Sequence, residues 1–542
     1  MKQTERTPPD AGNGPRLAWG GIAAPLLLAT AFLVVVSLAV RHSEIITGRR
    51  ITSGVPPILA VAGLMLAVGA PVLLRRLKIY RQLSGAQALV LYAMLTIGVW
   101  VGGAYGLRAF LPHLVSLQYW GQSQPALAPY AEHLPPWYAP RGAELARIYF
   151  EGSREGIVPW GEWIPVLLRW TPFFLALFTA PLCLMLLMRR QWLEAERLSF
   201  PLLALPLALA TDGGRRYAGG RPLFRHPLLW VGFGVAAGFN ALNIGRALIP
   251  TIPAPGFYYS LAGLFPERPW TPLNSISLYF MLETIGFGYL VPLDISFSAW
   301  FLYLVEKLVA VGGMAAGLDQ PGYPFIQDQC AGAYLACGLV LVWGARRHLA
   351  ETWRRAKKRC GEERFAWVGL AVSSAVLVGW AWAAGLVWQI ALPFFAVLGC
   401  FVLVYARMRA ETGVPMEWIY PYGLPKEMLV NAVTVPAILS AGGVRSMVIF
   451  SSLAWLSRHH LAEALAAYQV DGLKLAEQER VNRAPMMTAL LVAFVVGMAG
   501  SVWVHLSAYY QIGSNASIGG AGEGRARVAL QEYQRMASQI AA

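Results

Sequence analysis

Residues 274–312 read NSISLYFMLETIGFGYLVPLDISFSAWFLYLVEKLVAVGG, about twice the length that a helix needs to cross a bilayer. Ionisable side chains lie where lipid would tolerate them least, at Glu283, Asp294, Glu306 and Lys307. A carboxylate in the middle of a membrane is costly unless it faces a partner, a cavity or an ion path. Pro292 interrupts the helical pattern, and a broken helix persists at that depth only where protein or water satisfies the freed backbone groups. The stretch predicts a polytopic membrane protein with a polar interior and makes the handling of solutes or ions the leading hypothesis.

The composition also indicates a membrane protein. The chain has 542 residues, of which 56% are hydrophobic and 13% charged, and soluble domains carry about twice that charged share. The net charge of +15 could indicate nucleic-acid binding, but the basic residues form short clusters between apolar segments, as topology signals do, so we expect no nucleic-acid partner. The five cysteines form no CxxC pair, and no common catalytic motif occurs in a credible context. We therefore expect no metal site, no cofactor and no enzymatic activity.

Long apolar runs predict an all-α fold with about 11 transmembrane helices. These runs cover residues 17–40, 55–74, 87–110, 164–188, 227–249, 276–292, 295–316, 331–345, 366–386, 388–407 and 486–509. Three further segments are predicted to cross only part of the membrane: 194–210, which breaks at Pro201, 430–456, which is divided at Gly442 and Gly443, and 250–271. These segments are either re-entrant half-helices or helices at the membrane interface.

Basic loops orient the predicted spans. The strongest basic segments are 75–78, 189–225, 354–359 and 458–483, and all fall on one side if the N-terminus is cytoplasmic. Arg41, Arg49 and Arg50 then lie outside, against the rule. The predicted organisation is a cytoplasmic tail (1–16), a transmembrane domain (17–510) with an external loop (112–164), and an external linker with a short C-terminal helix (511–542). The expected location is the inner (plasma) membrane of the cell.

Four residues of the opening stretch are candidates for a transport path. Glu283 is expected to line a polar path, because Gly286 and Gly288 allow a neighbouring backbone to approach closely. Asp294 either caps the helix that follows Pro292 or acts as a transport carboxylate. Glu306 and Lys307 are consecutive, so their side chains diverge by roughly 100° and one should meet another helix.

Three further polar positions have two interpretations each. Arg246 ends the fifth span as an interfacial anchor or a substrate clamp. Glu411 closes the tenth span, before an acidic and aromatic loop that suits binding or interfacial packing. His505, within the last span, could relay protons or be a satisfied core histidine.

Four passages together resemble a family of uncharacterised bacterial multi-pass membrane proteins. They are RRQWLEAERLSFPLLALPL (189–207), FPERPWTP (265–272), IGFGYLVPLDISFSAWFLYLVEK (285–307) and RMRAETGVP (407–415). The resemblance extends over residues 20–510. That family is in turn distantly similar to the oligopeptide transporter superfamily, which implies a proton-coupled carrier. This chain has fewer spans than those carriers and lacks their Asn-Pro-Gly motif.

Two functions remain open from the sequence. The first is a secondary transporter of a small solute, driven by protons or sodium, since no ATP-binding motif is present. The second is a structural or accessory subunit of a larger membrane complex, which would dock through loop 112–164 and the C-terminal helix.

Overall fold

The computed structural model describes residues 17–48, 51–73, 83–103, 106–210, 226–318, 320, 322–358, 360–416, 424–458, 461–516 and 523–542. Several predicted features lie outside the described residues: the tail 1–16, Arg49, Arg50, Arg359, and the basic residues within 75–78 and 215–225.

The described residues form α-helices and one small sheet. The helices are α1 Ala23–Val40, α2 Ile58–Leu73, α3 Gly85–Gly102, α4 Phe110–Ser123, α5 Ala143–Glu151, α6 Trp160–Arg189, α7 Ala204–Ala210, α8 Pro227–Leu248, α9 Leu282–Gly288, α10 Leu293–Ala315, α11 Ile326–Gly344, α12 Arg346–Lys358, α13 Glu362–Ala384, α14 Trp388–Thr412, α15 Leu424–Val433, α16 Val435–Ser452, α17 Trp455–Arg458, α18 Leu461–Gln478, α19 Arg483–Ile512 and α20 Glu523–Ala541. Strands β1 (Tyr258–Ser260) and β2 (Ser277–Tyr279) pair antiparallel.

The chain is an all-α polytopic membrane protein. Among the described residues, nine helices are long and apolar enough to cross a membrane, or ten if α11 and α12, which meet at a 57° bend, form one span. The described residues thus do not confirm the predicted count of eleven. Residues 276–292 form β2 and the short helix α9 instead of a span, because Gly286 and Gly288 weaken a helix and Pro292 cannot continue one.

Helix α18 lies at the centre of the bundle. It packs against α3, α6 and α14, and most of its residues are buried. Its middle is tied to α6 by Gln469, whose side-chain amide donates to the carbonyl oxygen of Phe178 at 3.0 Å. The interpretation of residues 458–483 as a cytoplasmic loop is therefore wrong. Charged residues on α18 lowered its hydropathy, although neighbouring helices rather than lipid surround it.

We call the two ends of the bundle the Arg189 end and the C-terminal end. At the Arg189 end, Arg189 closes α6 and reaches Glu477 at 3.0 Å, just before α18 ends. At the C-terminal end, Trp163 near the start of α6 donates to the Tyr510 hydroxyl at 2.9 Å.

Residues 112–164, predicted as a loop, contain most of α4, the whole of α5 and the start of α6. Helix α20 packs on α4 and α16 at the C-terminal end. Its Tyr533 hydroxyl donates to the carbonyl oxygen of His113 at 2.8 Å, and burial raises the pKa of Tyr533, so the hydroxyl remains a donor. The two surfaces predicted to dock partners thus cover part of each other.

The segment around Gly443 lies at the C-terminal end as well. Arg445 donates to the carbonyl oxygen of Ala384 at 3.2 Å, and Lys426 forms an ion pair with Glu532 of α20. Gly443 has φ 65° and ψ −172°, a backbone conformation that other residues rarely adopt, and it bends α16. Helices α15 and α16, which contain most of the segment 430–456, therefore lie at the end opposite Arg189.

Residues 226–318 form a peripheral unit that we call the exposed lobe. It contains α8, the β1–β2 hairpin, α9 and α10. Only 6% of the apolar window of α8, and likewise of α10, is buried within the chain. The lobe therefore offers long apolar surfaces to lipid or to another protein.

Candidate functional site

Glu283 lies on α9 in the exposed lobe, with its side chain exposed. It lines a cavity of about 370 Å³ together with α7 residues Ala204, Leu205 and Ala208. The structure thus brings Glu283 next to the segment predicted to break at Pro201. Most of the remaining lining is apolar, and a role for Glu283 in a transport path stays a prediction.

Helix α9 ends at Gly288 and α10 begins at Leu293, so the boundary between them lies at Pro292. Asp294 is exposed in the first turn of α10, and its side chain makes no capping hydrogen bond. The alternative in which Asp294 caps α10 is therefore not what the structure has. Its role as a transport carboxylate stays a prediction.

Glu306 and Lys307 form an ion pair with each other. Lys307 Nζ lies 3.0 Å from Glu306 Oε1 and 5.0 Å from the centroid of the Tyr303 ring. The expectation that consecutive residues cannot neutralise each other is wrong, because the flexible lysine side chain folds back along the helix. Neither charge needs a partner on another helix.

The remaining sequence candidates lie at the surface or in the core. Arg246 is exposed in the last turn of α8. Glu411 accepts a hydrogen bond from Arg407 at 2.8 Å, and Arg407 also pairs with Glu196, so Glu411 belongs to a surface ion cluster. His505 is buried, and its Nδ1 donates to the carbonyl oxygen of Ser501 at 2.7 Å, whereas its Nε2 has no hydrogen-bond partner among the described residues, so both interpretations of His505 stay predictions.

An enclosed ion pair between α14 and α18, near the Arg189 end of the bundle, was not among the candidates from the sequence. Arg409, on α14, has a side chain that is 2% exposed, and its Nη2 lies 3.5 Å from Oδ2 of Asp471 on α18. The guanidinium carbon lies 4.4 Å from the centroid of the Tyr468 ring, which makes a cation–π contact. Within the described part of the chain, none of its three side-chain nitrogens has a hydrogen-bond partner.

Three tyrosines lie around the Arg409–Asp471 pair. Tyr405 lies one turn before Arg409 on α14, and Tyr468 lies one turn before Asp471 on α18, so each pair shares a helix face. Tyr92 of α3 is close enough to both charges to interact electrostatically. We call Arg409, Asp471 and the three tyrosines the Arg409 site.

The broken segment borders the Arg409 site at the Arg189 end of the bundle. The backbone N–H of Phe200 donates to the carbonyl oxygen of Ala410 at 2.9 Å, directly beside Arg409. The Phe200 ring centroid lies 5.7 Å from Nζ of Lys474, one turn after Asp471. Unlike Arg409, Asp471 keeps 16% of its side chain exposed, so it is the less enclosed member of the pair.

The arrangement is suited to exchange of charge. A buried guanidinium with unmet donors can bind an anion, and a partly exposed carboxylate beside it can take up a proton or a cation. The described residues contain no group of three or more His, Cys, Asp or Glu side chains placed to hold a metal ion. One signal was available in the sequence: Arg409 follows Tyr405 by four residues at the end of an apolar run, and a charge there requires a partner.

Comparison with known proteins gives a family without an assigned activity. No curated protein matches the chain. A model described as "Family of unknown function (DUF6785)" matches residues 21–542, which is nearly the entire sequence. The chain therefore belongs to the DUF6785 family of unknown function.

Proposed function

We propose that this protein is an ion-coupled secondary transporter of a small solute, with Asp471 as the residue that binds the coupling proton. The observation that supports this most strongly is the enclosure of a charged helix, α18, within a bundle of apolar helices. Ionisable residues inside membrane proteins are rare, face the bundle interior and mark ion or substrate pathways.

The broken segments support the same proposal. Secondary transporters build their central sites from interrupted helices, whose free backbone groups line a cavity. Here the segment that breaks at Pro201 borders the Arg409 site. We also propose the distant relation to the oligopeptide transporter superfamily that the sequence resembles, whose members are proton-coupled carriers.

The proposal includes a topology. We propose about 11 crossings of the plasma membrane, with the Arg189 end in the cytoplasm and the C-terminal end outside. Impermeant labelling of a single cysteine introduced in the 120s, on α4, tests the orientation. Labelling from the cytoplasmic side alone would reverse it.

Transport itself is tested with purified protein in liposomes. We expect an inward proton gradient to drive uptake of at least one member of a panel of peptides, metal chelates and small organic acids. The variant Asp471→Asn should lose gradient-driven uptake, whereas Glu144→Ala, on the exposed surface of α5, should keep it. Uptake that follows a sodium gradient and persists in Asp471→Asn would contradict proton coupling at this residue.

The second candidate function is a subunit of a larger membrane complex, and the exposed lobe favours it. Helices α8 and α10 each leave nearly their whole apolar window uncovered by the chain. Cross-linking in native membranes from a cysteine in α10, followed by identification of the attached protein, tests this candidate. Attachment to lipid alone would leave the lobe as an ordinary lipid-facing surface.

A further inference from the structure

We propose that Arg409 binds a carboxylate group of the transported solute once Asp471 has taken up a proton, so that the protein carries small carboxylate-bearing solutes. This inference rests on the proposed transport function. It identifies the class of solute, and it assigns the two members of the ion pair different tasks.

The first argument is the state of the Arg409 hydrogen-bond donors. A guanidinium offers five N–H groups, and buried polar groups are nearly always hydrogen-bonded. The other buried arginines of the bundle follow this rule. Arg108 donates to the carbonyl oxygen of Glu44 at 3.1 Å, and Arg189 donates to Glu194 and Glu477. Among the described residues, Arg409 has no such partner, although its side chain is as well buried.

The second argument is the geometry of the pair. Charge-assisted hydrogen bonds between nitrogen and oxygen measure about 2.7–2.9 Å, whereas Arg409 Nη2 and Asp471 Oδ2 are 3.5 Å apart. The Tyr468 ring packs on the guanidinium. A planar guanidinium whose N–H groups are unbonded is matched by a carboxylate, which accepts two parallel hydrogen bonds from it.

The third argument is the balance of charge. With Asp471 ionised, the pair is neutral, and a solute carboxylate would bring an uncompensated negative charge into the bundle. One proton on Asp471 removes that charge, so one proton and one carboxylate enter together without net change. Desolvated charges are tolerated in protein interiors only when such compensation is available.

The groups around Asp471 are compatible with this exchange. Arg409 faces it from α14, Tyr92 faces it from α3, and Tyr468 lies on its own helix, whereas Tyr405 of α14 interacts with Arg409. None of the tyrosines supplies a negative charge near neutral pH. The exposed part of Asp471, beside Lys474, is the side from which the proton and the solute arrive.

The test uses the purified full-length protein in detergent and measures binding of acetate and succinate by calorimetry over a pH series. Acetamide and succinamide serve as neutral controls of matched shape. We expect the acids to bind and the amides not to bind. Binding of the acid is linked to the uptake of one proton. At pH values where Asp471 of the free protein is ionised, the apparent affinity for the acid should therefore rise about tenfold for each pH unit of acidification.

Three variants separate the roles of the two residues. Asp471→Asn should bind the acid at every pH as tightly as the acidified wild type, because its amide mimics the protonated carboxyl group. Arg409→Gln should bind it about 100-fold more weakly. Arg409→Gln with Asp471→Asn leaves no unpaired charge, so this double variant should stay folded and should also fail to bind.

Several results would overturn the inference: acids and amides that bind alike, acid binding that survives in the double variant, or no binding of either acid to Asp471→Asn. The outcomes also separate this inference from the proposed function. Proton-driven uptake of neutral solutes, lost in Asp471→Asn without any acid binding, would retain the transporter and refute the carboxylate site. Acid binding as predicted, without gradient-driven uptake, would retain the site and refute the transporter.

Discussion

Two ion pairs of the bundle, Glu44–Arg108 and Arg409–Asp471, differ in the hydrogen bonds that surround their charges. The Glu44 carboxylate accepts hydrogen bonds from the backbone N–H groups of Ile51 and Thr52, at 2.8 and 2.7 Å, and from the Thr52 hydroxyl at 2.7 Å. Its other oxygen lies 3.6 Å from Arg108, which also donates to the Glu44 carbonyl oxygen. Arg409 has none of these supports within the described chain.

The difference indicates which pair is structural and which is available for function. Taking charges out of water is repaid only when geometry is good and further hydrogen bonds satisfy the remaining atoms. Glu44 meets that condition at one oxygen, whose three hydrogen bonds fix residues 51–52 next to the end of α1, while its other oxygen has no hydrogen-bond partner among the described residues. Among the described residues, the Arg409 guanidinium has no such hydrogen bond. We therefore assign this ion pair to solute and proton binding rather than to stability.

The largest effect on stability is expected from Glu44→Ala. The substitution removes a buried carboxylate that faces Arg108 and accepts three hydrogen bonds, so the free energy of unfolding should fall by about 3–5 kcal/mol. Denaturant titration in detergent, followed by tryptophan fluorescence, measures it. The control Glu144→Ala removes an exposed ion pair and should leave the unfolding curve nearly unchanged. Equal losses of unfolding free energy in Glu44→Ala and Glu144→Ala would contradict the structural role that we assign to Glu44.

Asp471→Asn should cost less stability than Glu44→Ala and more activity. Asp471 is partly exposed and makes no hydrogen bond of good geometry within the described residues, and we expect a loss of about 1–2 kcal/mol, below that of a fully buried pair. Proton-driven uptake in liposomes should disappear entirely. If Asp471→Asn instead unfolds as readily as Glu44→Ala, and its folded fraction still transports, both ion pairs are structural and the distinction between them is refuted.

A third ion cluster provides an intermediate case. Arg189 reaches Glu194 at 3.2 Å, Glu477 at 3.0 Å and Glu362 at 3.6 Å. Glu477→Gln leaves two carboxylates in place and keeps an acceptor, so stability should fall by only about 1 kcal/mol. The same titration measures the change. A loss as large as that of Glu44→Ala would mean that the cluster depends on one carboxylate.

The smallest effect is expected from Glu411→Gln. Glu411 is about half exposed, and its partner Arg407 keeps Glu196. Exposed pairs contribute about 0–1 kcal/mol, so the melting temperature should shift little. A loss of several kcal/mol would show that this surface cluster anchors the broken segment to α14.

The sequence predicted the outer features of the fold better than its centre. The apolar runs 164–188 and 486–509 lie within α6 and α19, because a long apolar helix is recognisable by hydropathy alone. Helix α18 escaped the count, since Asp471, Lys474 and other charges make it polar and only tertiary packing encloses it. Hydropathy reports what a helix contains but not what surrounds it.

The Arg409 site could not be predicted for the same reason. Its parts come from α3, α14 and α18, which are far apart in the sequence, and no local spacing joins Arg409 to Asp471. The candidates that the sequence offered, such as Glu283 and Asp294, were chosen because they interrupt an apolar run. The structure places both on the exposed lobe, outside the central bundle.

The central claim is that Asp471 exchanges a proton within the folded protein, and pH-difference infrared spectroscopy in a lipid bilayer tests it most directly. We predict that acidification gives the wild type a protonated-carboxyl band that Asp471→Asn lacks and that Glu44→Gln retains. Identical difference spectra from the wild type and Asp471→Asn, throughout the pH range in which both remain folded, would contradict the account.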